Sequence, residues 1–253
     1  MAFARGEGLV GGEPVADGSP LARQTVALGW RGDAFCSATI VAEDLVVTAA
    51  HCVRNSHDIE VLFETDTVSE KNPRRRPIVG YELAPGYDPD DEHPERRDPP
   101  PRNRADFALV RFTGGLPAGF NPAQLVPADH VFHDADEIEL AGYGGTFDHT
   151  TPNDPVGILR AGHARLRDAR FSPTELQIDA SEESSSHNAG GDSGGPALVR
   201  IGGEPYLFGV CNWGRVGEFT VFALVRPRLA WMSEAAKRLR QHHGHADCST
   251  VLR

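Results

Sequence analysis

The chain has 253 residues, 40% of them hydrophobic and 24% charged, which is ordinary for a soluble globular protein and enough for one large domain or two small ones with real cores. Its formal charge of −11 at pH 7 argues against nucleic acid as a partner, because a phosphate backbone would be repelled. No apolar stretch approaches the length of a membrane span, and the opening "MAFARGEGLVGG" lacks the apolar centre of a signal peptide, so any leader of an exported form lies outside this sequence.

Turn chemistry is plentiful, with 27 glycines and 19 prolines separating short β-type runs. In chain order the first set is "QTVALGW", "FCSATIVA", "LVVTAA", "IEVLFE", "PIVGYEL" and "DFALVRF", rich in Val, Ile, Phe and Thr. Residues 86–104, "GYDPDDEHPERRDPPPRNR", break the pattern. Charged, proline-rich and aperiodic, they read as a long exposed loop, and solvation accounts for their acids and histidine without a metal. After "GGLPAGFNPAQLVPADH" a second set follows: "EIELAGYG", "GILRAGHARL", "ELQIDA", "GPALVRI", "YLFGVCNW" and "TVFALV". From Pro227, Leu229, Met232, Ala236 and Leu239 recur at helical spacing, with Pro suited to the first turn and basic residues to the last. The expectation is an all-β chain of two antiparallel six-stranded β-barrels, residues 9–120 and 121–253, with a C-terminal α-helix at about 227–242. Residues 1–8 read as a leader or propeptide remnant.

The four cysteines, Cys36, Cys52, Cys211 and Cys248, contain no Cys-x-x-Cys pair, which leaves zinc and redox readings weak. An even count in a Gly/Pro-rich β-type chain suggests two disulfides and an oxidising compartment, with free buried thiols as the alternative. Cys36 lies one apparent hairpin upstream of Cys52, the right reach for a bridge that would stabilise by roughly 3 kcal/mol in the chain-entropy model.

One stretch asks for chemistry. "SSSHNAGGDSGGPALV", Ser184 to Val199, packs four glycines, an acid and a proline around Ser193. Such a stretch is either a turn or a tight bend that presents Ser193 as a nucleophile beside bare backbone amides. A serine nucleophile needs a base and a group to orient that base. Of the eleven histidines, His51 is the one placed at a strand end beside a cysteine. Among the acids, Asp106 opens the apolar run "ADFALVRF", where a buried carboxylate must find partners and an exposed one need not.

"TAAHC" (Thr48 to Cys52), "DFALV" (Asp106 to Val110) and "GDSGGP" (Gly191 to Pro196) together resemble the three active-site motifs of the chymotrypsin-like serine peptidases, in that family's order. "LVGGEPV" from Leu9 resembles the family's mature N-terminus, "AGYGG" its Gly-Trp-Gly turn with Tyr143 for the tryptophan, and "NWG" (Asn212, Trp213, Gly214) its Ser-Trp-Gly substrate strand. The resemblance implies a chymotrypsin-like fold and a secreted or periplasmic serine endopeptidase acting through an acyl-enzyme. In it Ser193 attacks, His51 moves the proton, Asp106 orients His51, and the amides of Gly191 and Ser193 form the oxyanion hole. It also implies activation by cleavage before Leu9, whose freed amine would pair with Asp192. A polypeptide substrate and protein inhibitors are the expected partners of a monomer that needs no cofactor or metal. A catalytically silent binding protein on the same fold, or a zymogen-locked precursor, is the alternative.

The chain departs from the family in places. Asn212 stands where a serine usually supports the aspartate, and its amide is expected to donate to Asp106. Ala189 replaces a cysteine that bridges the primary pocket in many relatives. Cys211 and Cys248 match no common family pair, so a bridge between them and two free thiols both stay open. The pocket floor falls at His187, with Asn188 beside it, where trypsin-like members carry aspartate. A preference for Arg or Lys in the substrate therefore lacks its anchor.

Overall fold

The computed structural model describes residues 9, 11–54, 57–90, 94–145, 156–181, 186, 188–215 and 217–241. Each of the twelve β-type runs becomes a strand. The first six are β2 (Thr25–Trp30), β3 (Asp33–Ala42), β4 (Leu45–Thr48), β5 (Ile59–Leu62), β6 (Arg75–Leu83) and β7 (Ala108–Phe112). They close into an antiparallel barrel in the order β2-β3-β4-β7-β6-β5. The second six are β9 (Glu137–Gly142), β10 (Arg160–Asp168), β11 (Glu175–Asp179), β12 (Pro196–Ile201), β13 (Glu204–Arg215) and β14 (Phe219–Leu224). Their antiparallel ring runs β9-β10-β11-β14-β13-β12 and closes on β9. Closure removes exposed strand edges, which suits short strands that would otherwise template pairing.

Period-2 patterning explains why these runs form walls. In β10, Ala164 and Leu166 point inward while His163, Arg165 and Arg167 point out. The first barrel fills with Val26, Leu28, Ile40, Val46, Val61, Phe63 and Phe112. The second fills with Ile138, Leu140, Leu176, Ile178, Phe208 and Phe222. Two short strands add what composition did not suggest. β1 (Glu13–Pro14) pairs with β10, and β8 (Gln124–Leu125) pairs in parallel with β13. The segment before the first barrel thus crosses to the second, and Leu9 is wholly buried in the second barrel's core.

A third cluster joins the barrels. Val47, Phe107 and Leu109 of the first pack with Leu198, Leu207 and Val210 of the second and with Met232 and Ala235 of α1 (Leu229–Gln241). Pro227 sits in a 3-10 turn, Arg226–Arg228, and the α-helix starts just after it. Although α1 follows the second barrel, it lies across the first. Trp231 meets the Phe107 ring edge-to-face at 6.0 Å, Arg238 clasps Glu82, and Arg240 clasps Asp44 at 2.6 and 3.1 Å. Arg111 of β7 also reaches Asp44 at 3.1 Å and donates to the Leu239 carbonyl, closing the strap.

The hydrogen bond from Arg240, joined by Arg111, outweighs burial and holds the Asp44 carboxyl below its ordinary value of 3.8. Asp44→Asn should therefore cost about 1 kcal/mol at neutral pH, a figure reduced for solvent screening. A depressed folded-state pKa contributes stability only while the carboxylate is ionised. The difference between wild type and variant in urea unfolding should be full above pH 4 and should vanish as pH falls through the depressed value. An undiminished difference in acid would assign the effect to packing.

Candidate active site

The site assembles at the seam. His51 lies in a 3-10 turn, Ala50–Cys52, directly after β4. Cys52 is bridged to Cys36 of β3, with the two Cα atoms 6.3 Å apart, so the turn is tied back to the barrel wall. Asp106 stands just before β7, 1% exposed. The His51 main-chain N–H donates to Asp106 Oδ1 at 3.0 Å, and His51 Nδ1 lies 2.7 Å from Oδ2. Burial pushes the Asp106 carboxyl up, but the charge of His51 and its hydrogen bonds outweigh burial and hold it below the usual range. An ionised carboxylate only accepts, so Nδ1 carries the shared proton, and in the neutral imidazole Nε2 is then an acceptor. The imidazole is about one-third exposed, open enough for that nitrogen to meet a substrate.

Ser193 lies in the turn that leads into β12, and the first barrel grips that turn. Ser37 N–H donates to the Ser193 carbonyl at 2.8 Å, and Ser37 Oγ donates to the Gly191 carbonyl at 2.9 Å while accepting from Tyr143 N–H. Thr48 Oγ1 donates in turn to the Ser37 carbonyl at 2.8 Å. Glycine is required here. Gly194 has φ +83°, and a Cβ on it would overlap Thr48 Oγ1 and the Ser37 carbonyl. The amides of Asp192, Gly194 and Gly195 each have a backbone acceptor. Those of Gly191 and Ser193 have none among the described residues.

Asp192 is fully buried and shapes this turn from below. Its Oδ1 accepts the Gly144 N–H and its Oδ2 the Ala189 N–H, each at 2.8 Å. A Cβ on Gly142 or Gly144 would collide with that carboxylate, which explains the glycines around Tyr143 in "AGYGG". The Tyr143 hydroxyl donates to the carbonyls of Thr25 and Glu64, at 3.2 and 2.9 Å, and so satisfies a buried ring that takes the tryptophan's place.

Other expected residues fall differently. His187, with Ser184 and Ser185, lies outside the described residues. Asn188 is described, and its amide nitrogen and oxygen are buried with no partner among the described residues. The expected bond from Asn212 to Asp106 does not form, and the Asn212 amide, 4% exposed, has no partner among the described residues. The cause is local: β13 changes register between Cys211 and Trp213, so Asn212 falls in a bulge, and a bulge re-aims its side chain. Of the two alternatives left open for Cys211, the structure shows the unbridged one. Cys211 is a free thiol packed in the second barrel's core, where burial pushes its pKa well up. Cys248 lies outside the described residues. Trp213 rests edge-on against Phe219 at 5.8 Å, and Gly214 lies against Thr220, whose Cα a Cβ at that position would meet at 3.0 Å. Past Val210, the last residue of β13 paired with β12, the strand continues through Trp213 and Gly214 paired with β14 alone.

Two features went unread in the sequence. Ser37 bridges the barrels and Thr48 braces it, and their only trace was a pair of small polar residues inside otherwise apolar runs. The 86–104 loop is not simply solvated. Pro94 is buried, and Arg215 of β13 donates to the carbonyls of Glu95 and Arg97, pinning the loop to the substrate-strand candidate.

Gly144→Ala puts the new methyl about where the Asp192 carboxylate sits. It should destabilise the chain by about 2–4 kcal/mol in urea unfolding, combining overpacking with a buried charge forced off its donors. Gly18→Ala, which faces open space and meets only the strain of a positive φ, +72°, should cost about 1 kcal/mol. Equal losses at the two sites would remove the special role of Asp192.

A family model described as trypsin matches residues 9–232. The fold is similar to that of neuropsin, a serine protease expressed in the limbic system of mouse brain, with a TM-score of 0.69, 17% identity, and 89% of this chain and 98% of that chain covered. At that identity the likeness concerns the fold; the family model, spanning both barrels and all three motifs, carries the assignment. The chain belongs to the trypsin family.

Proposed function

We propose that this chain is a secreted serine endopeptidase with Ser193 as nucleophile, His51 as general base and acid, and Asp106 as the group that orients His51. The observation that carries the reading is the His51 Nδ1–Asp106 pair at 2.7 Å, which leaves Nε2 as an acceptor at the seam where the Ser193 turn is gripped. In the first step Ser193 Oγ attacks the scissile carbonyl as its proton passes to His51 Nε2. The carbonyl oxygen becomes an oxyanion, and the unengaged amides of Gly191 and Ser193 are the donors for it, each worth about 3 kcal/mol in the transition state. His51 returns the proton to the leaving amine, and an acyl-Ser193 ester remains. Water, deprotonated by His51, attacks that ester, and collapse of the second tetrahedral intermediate returns the proton to Ser193 and frees the acid. The substrate backbone is expected to add to the open side of β13 at Trp213 and Gly214, a pairing that needs no particular side chain. On this reading cleavage before Leu9 would supply an amine for Asp192.

Ser193→Ala should abolish peptide and ester hydrolysis, by about 10⁶-fold, while leaving the unfolding midpoint unchanged. A silent binding protein on the same fold predicts no reaction of wild-type Ser193 with diisopropyl fluorophosphate, whereas the peptidase reading predicts stoichiometric labelling. Substrate choice should follow the polar, uncharged side chain of Asn188. A peptide library should show poor cleavage after Arg and Lys, and a library cleaved mainly after those residues overturns the specificity reading alone.

A further inference from the structure

Asp106 follows an awkward piece of backbone. Asn103 has φ 59° and Ala105 has φ 54°, both in the left-handed region, which alanine adopts only at a cost. The Phe107 N–H folds back onto the Ala105 carbonyl at 2.7 Å, so the chain turns sharply around Asp106. From the first barrel, His51 bonds Asp106 and the Ala84 N–H donates to the Phe107 carbonyl, and a conformation of this kind persists only where its surroundings over-determine it. Residues 103 and 104 are held from the second barrel. Glu175, the first residue of β11, is fully buried, and its carboxylate accepts the main-chain N–H groups of both Asn103 and Arg104, the latter at 2.9 Å. Its neighbour Thr174 donates its hydroxyl to Asn103 Oδ1 at 2.9 Å. Behind them Arg228, 7% exposed, donates to the carbonyls of Thr174 and Leu224 and lies 5.2 Å over the Phe107 ring.

We infer that Glu175 is a positioning residue for the His51–Asp106 pair: its carboxylate, reaching across the seam, holds Asn103 and Arg104 so that Asp106 presents both oxygens to His51. A buried glutamate is a costly choice for mere packing. Burial raises its pKa, and the two N–H donors with nearby Arg228 and Arg104 oppose that rise without cancelling it. It also ties the first-barrel acid to the second-barrel body that carries Ser193, so the halves of the site share one anchor. The inference rests on the peptidase reading for its catalytic meaning and on geometry alone for the placement of Asp106.

The test uses the full chain in its active form with Glu175→Gln and Glu175→Ala. Glutamine keeps the shape and one acceptor, so one of the two main-chain N–H groups loses its partner. Alanine removes both. The second-order rate of Ser193 labelling by diisopropyl fluorophosphate should fall about 10-fold for the glutamine variant and about 100-fold for the alanine variant, the size of effect expected when a reacting group is misplaced by about 1 Å. Thermal unfolding should show the glutamine variant folded at the assay temperature, and that variant decides the matter if the alanine variant does not fold. The low-field proton resonance that the 2.7 Å contact predicts for His51 Nδ1 in the wild type should weaken or vanish in the glutamine variant, a change that lost stability alone would not cause. Labelling within 2-fold of wild type, with an unchanged His51 resonance, overturns the inference. If wild-type Ser193 is not labelled at all, the peptidase reading falls instead, and the His51 resonance still decides whether Glu175 positions Asp106.

Discussion

The seam between the two barrels is the constraint on which the site depends. His51 and Asp106 belong to one barrel and Ser193 to the other, so their mutual placement is a question of docking rather than of local folding. The apolar part of the seam, with Val47, Phe107, Leu198, Val210 and Met232, supplies adhesion but little direction, because hydrophobic contact is non-directional. Direction comes from a few hydrogen bonds that cross it. Ser37 takes hold of Gly191, Tyr143 and Ser193 at once, and Thr48 steadies Ser37. Each bond is buried or nearly so, where losing one leaves an unsatisfied group worth about 1–3 kcal/mol.

Helix α1 closes the same seam from outside. It grows out of the last strand of the second barrel and lands on β6 and β7 of the first, where Arg111 and Arg240 converge on Asp44. The strand that α1 covers, β7, begins two residues after Asp106. A strap at that strand's far end and a buried glutamate at its near end leave the segment bearing Asp106 little freedom to shift. Rigid supports of this kind are what a positioned proton relay requires, since the reaction offers no time for rearrangement.

Much of this was legible in the sequence because its signals are short-range. Twelve runs with turn residues between them become twelve strands, since period-2 burial and Gly/Pro punctuation act over five to ten residues. The glycines of "GDSGGP" were legible because positive φ at Gly191 and Gly194 leaves glycine as the fitting residue. What was not legible depends on contacts between distant segments. Asn212 looked able to support Asp106, but a bulge in β13 turns it elsewhere, and bulges depend on pairing partners that one strand's sequence does not reveal. Cys211 looked available for a bridge until the strand's register placed it inside the barrel. Glu175 passed unnoticed in the run "ELQIDA", because the backbone it serves lies about 70 residues earlier in the chain. The short strand β1 was hidden for the same reason: its partner is β10 of the other barrel.

The buried polar groups of this chain divide by what satisfies them. Asp106, Asp192, Glu175, Thr48 and the Tyr143 hydroxyl all end on protein partners, and each serves to fix backbone at or beside the seam. Among the described residues only Asn188 and Asn212 have both atoms of a side-chain amide buried and unpaired. A buried amide without a partner is unfavourable by about 1–3 kcal/mol, so these two positions are the ones where a ligand's polar groups would gain most. Asn212 directly precedes Trp213 on β13, while Asn188 lies in the segment leading to the Ser193 turn, five residues before Ser193. A substrate strand laid along β13, with its side chain directed toward that segment, would bring donors and acceptors of its own. On the proposed peptidase reading, the unfavourable term carried by the free chain would then be relieved on binding.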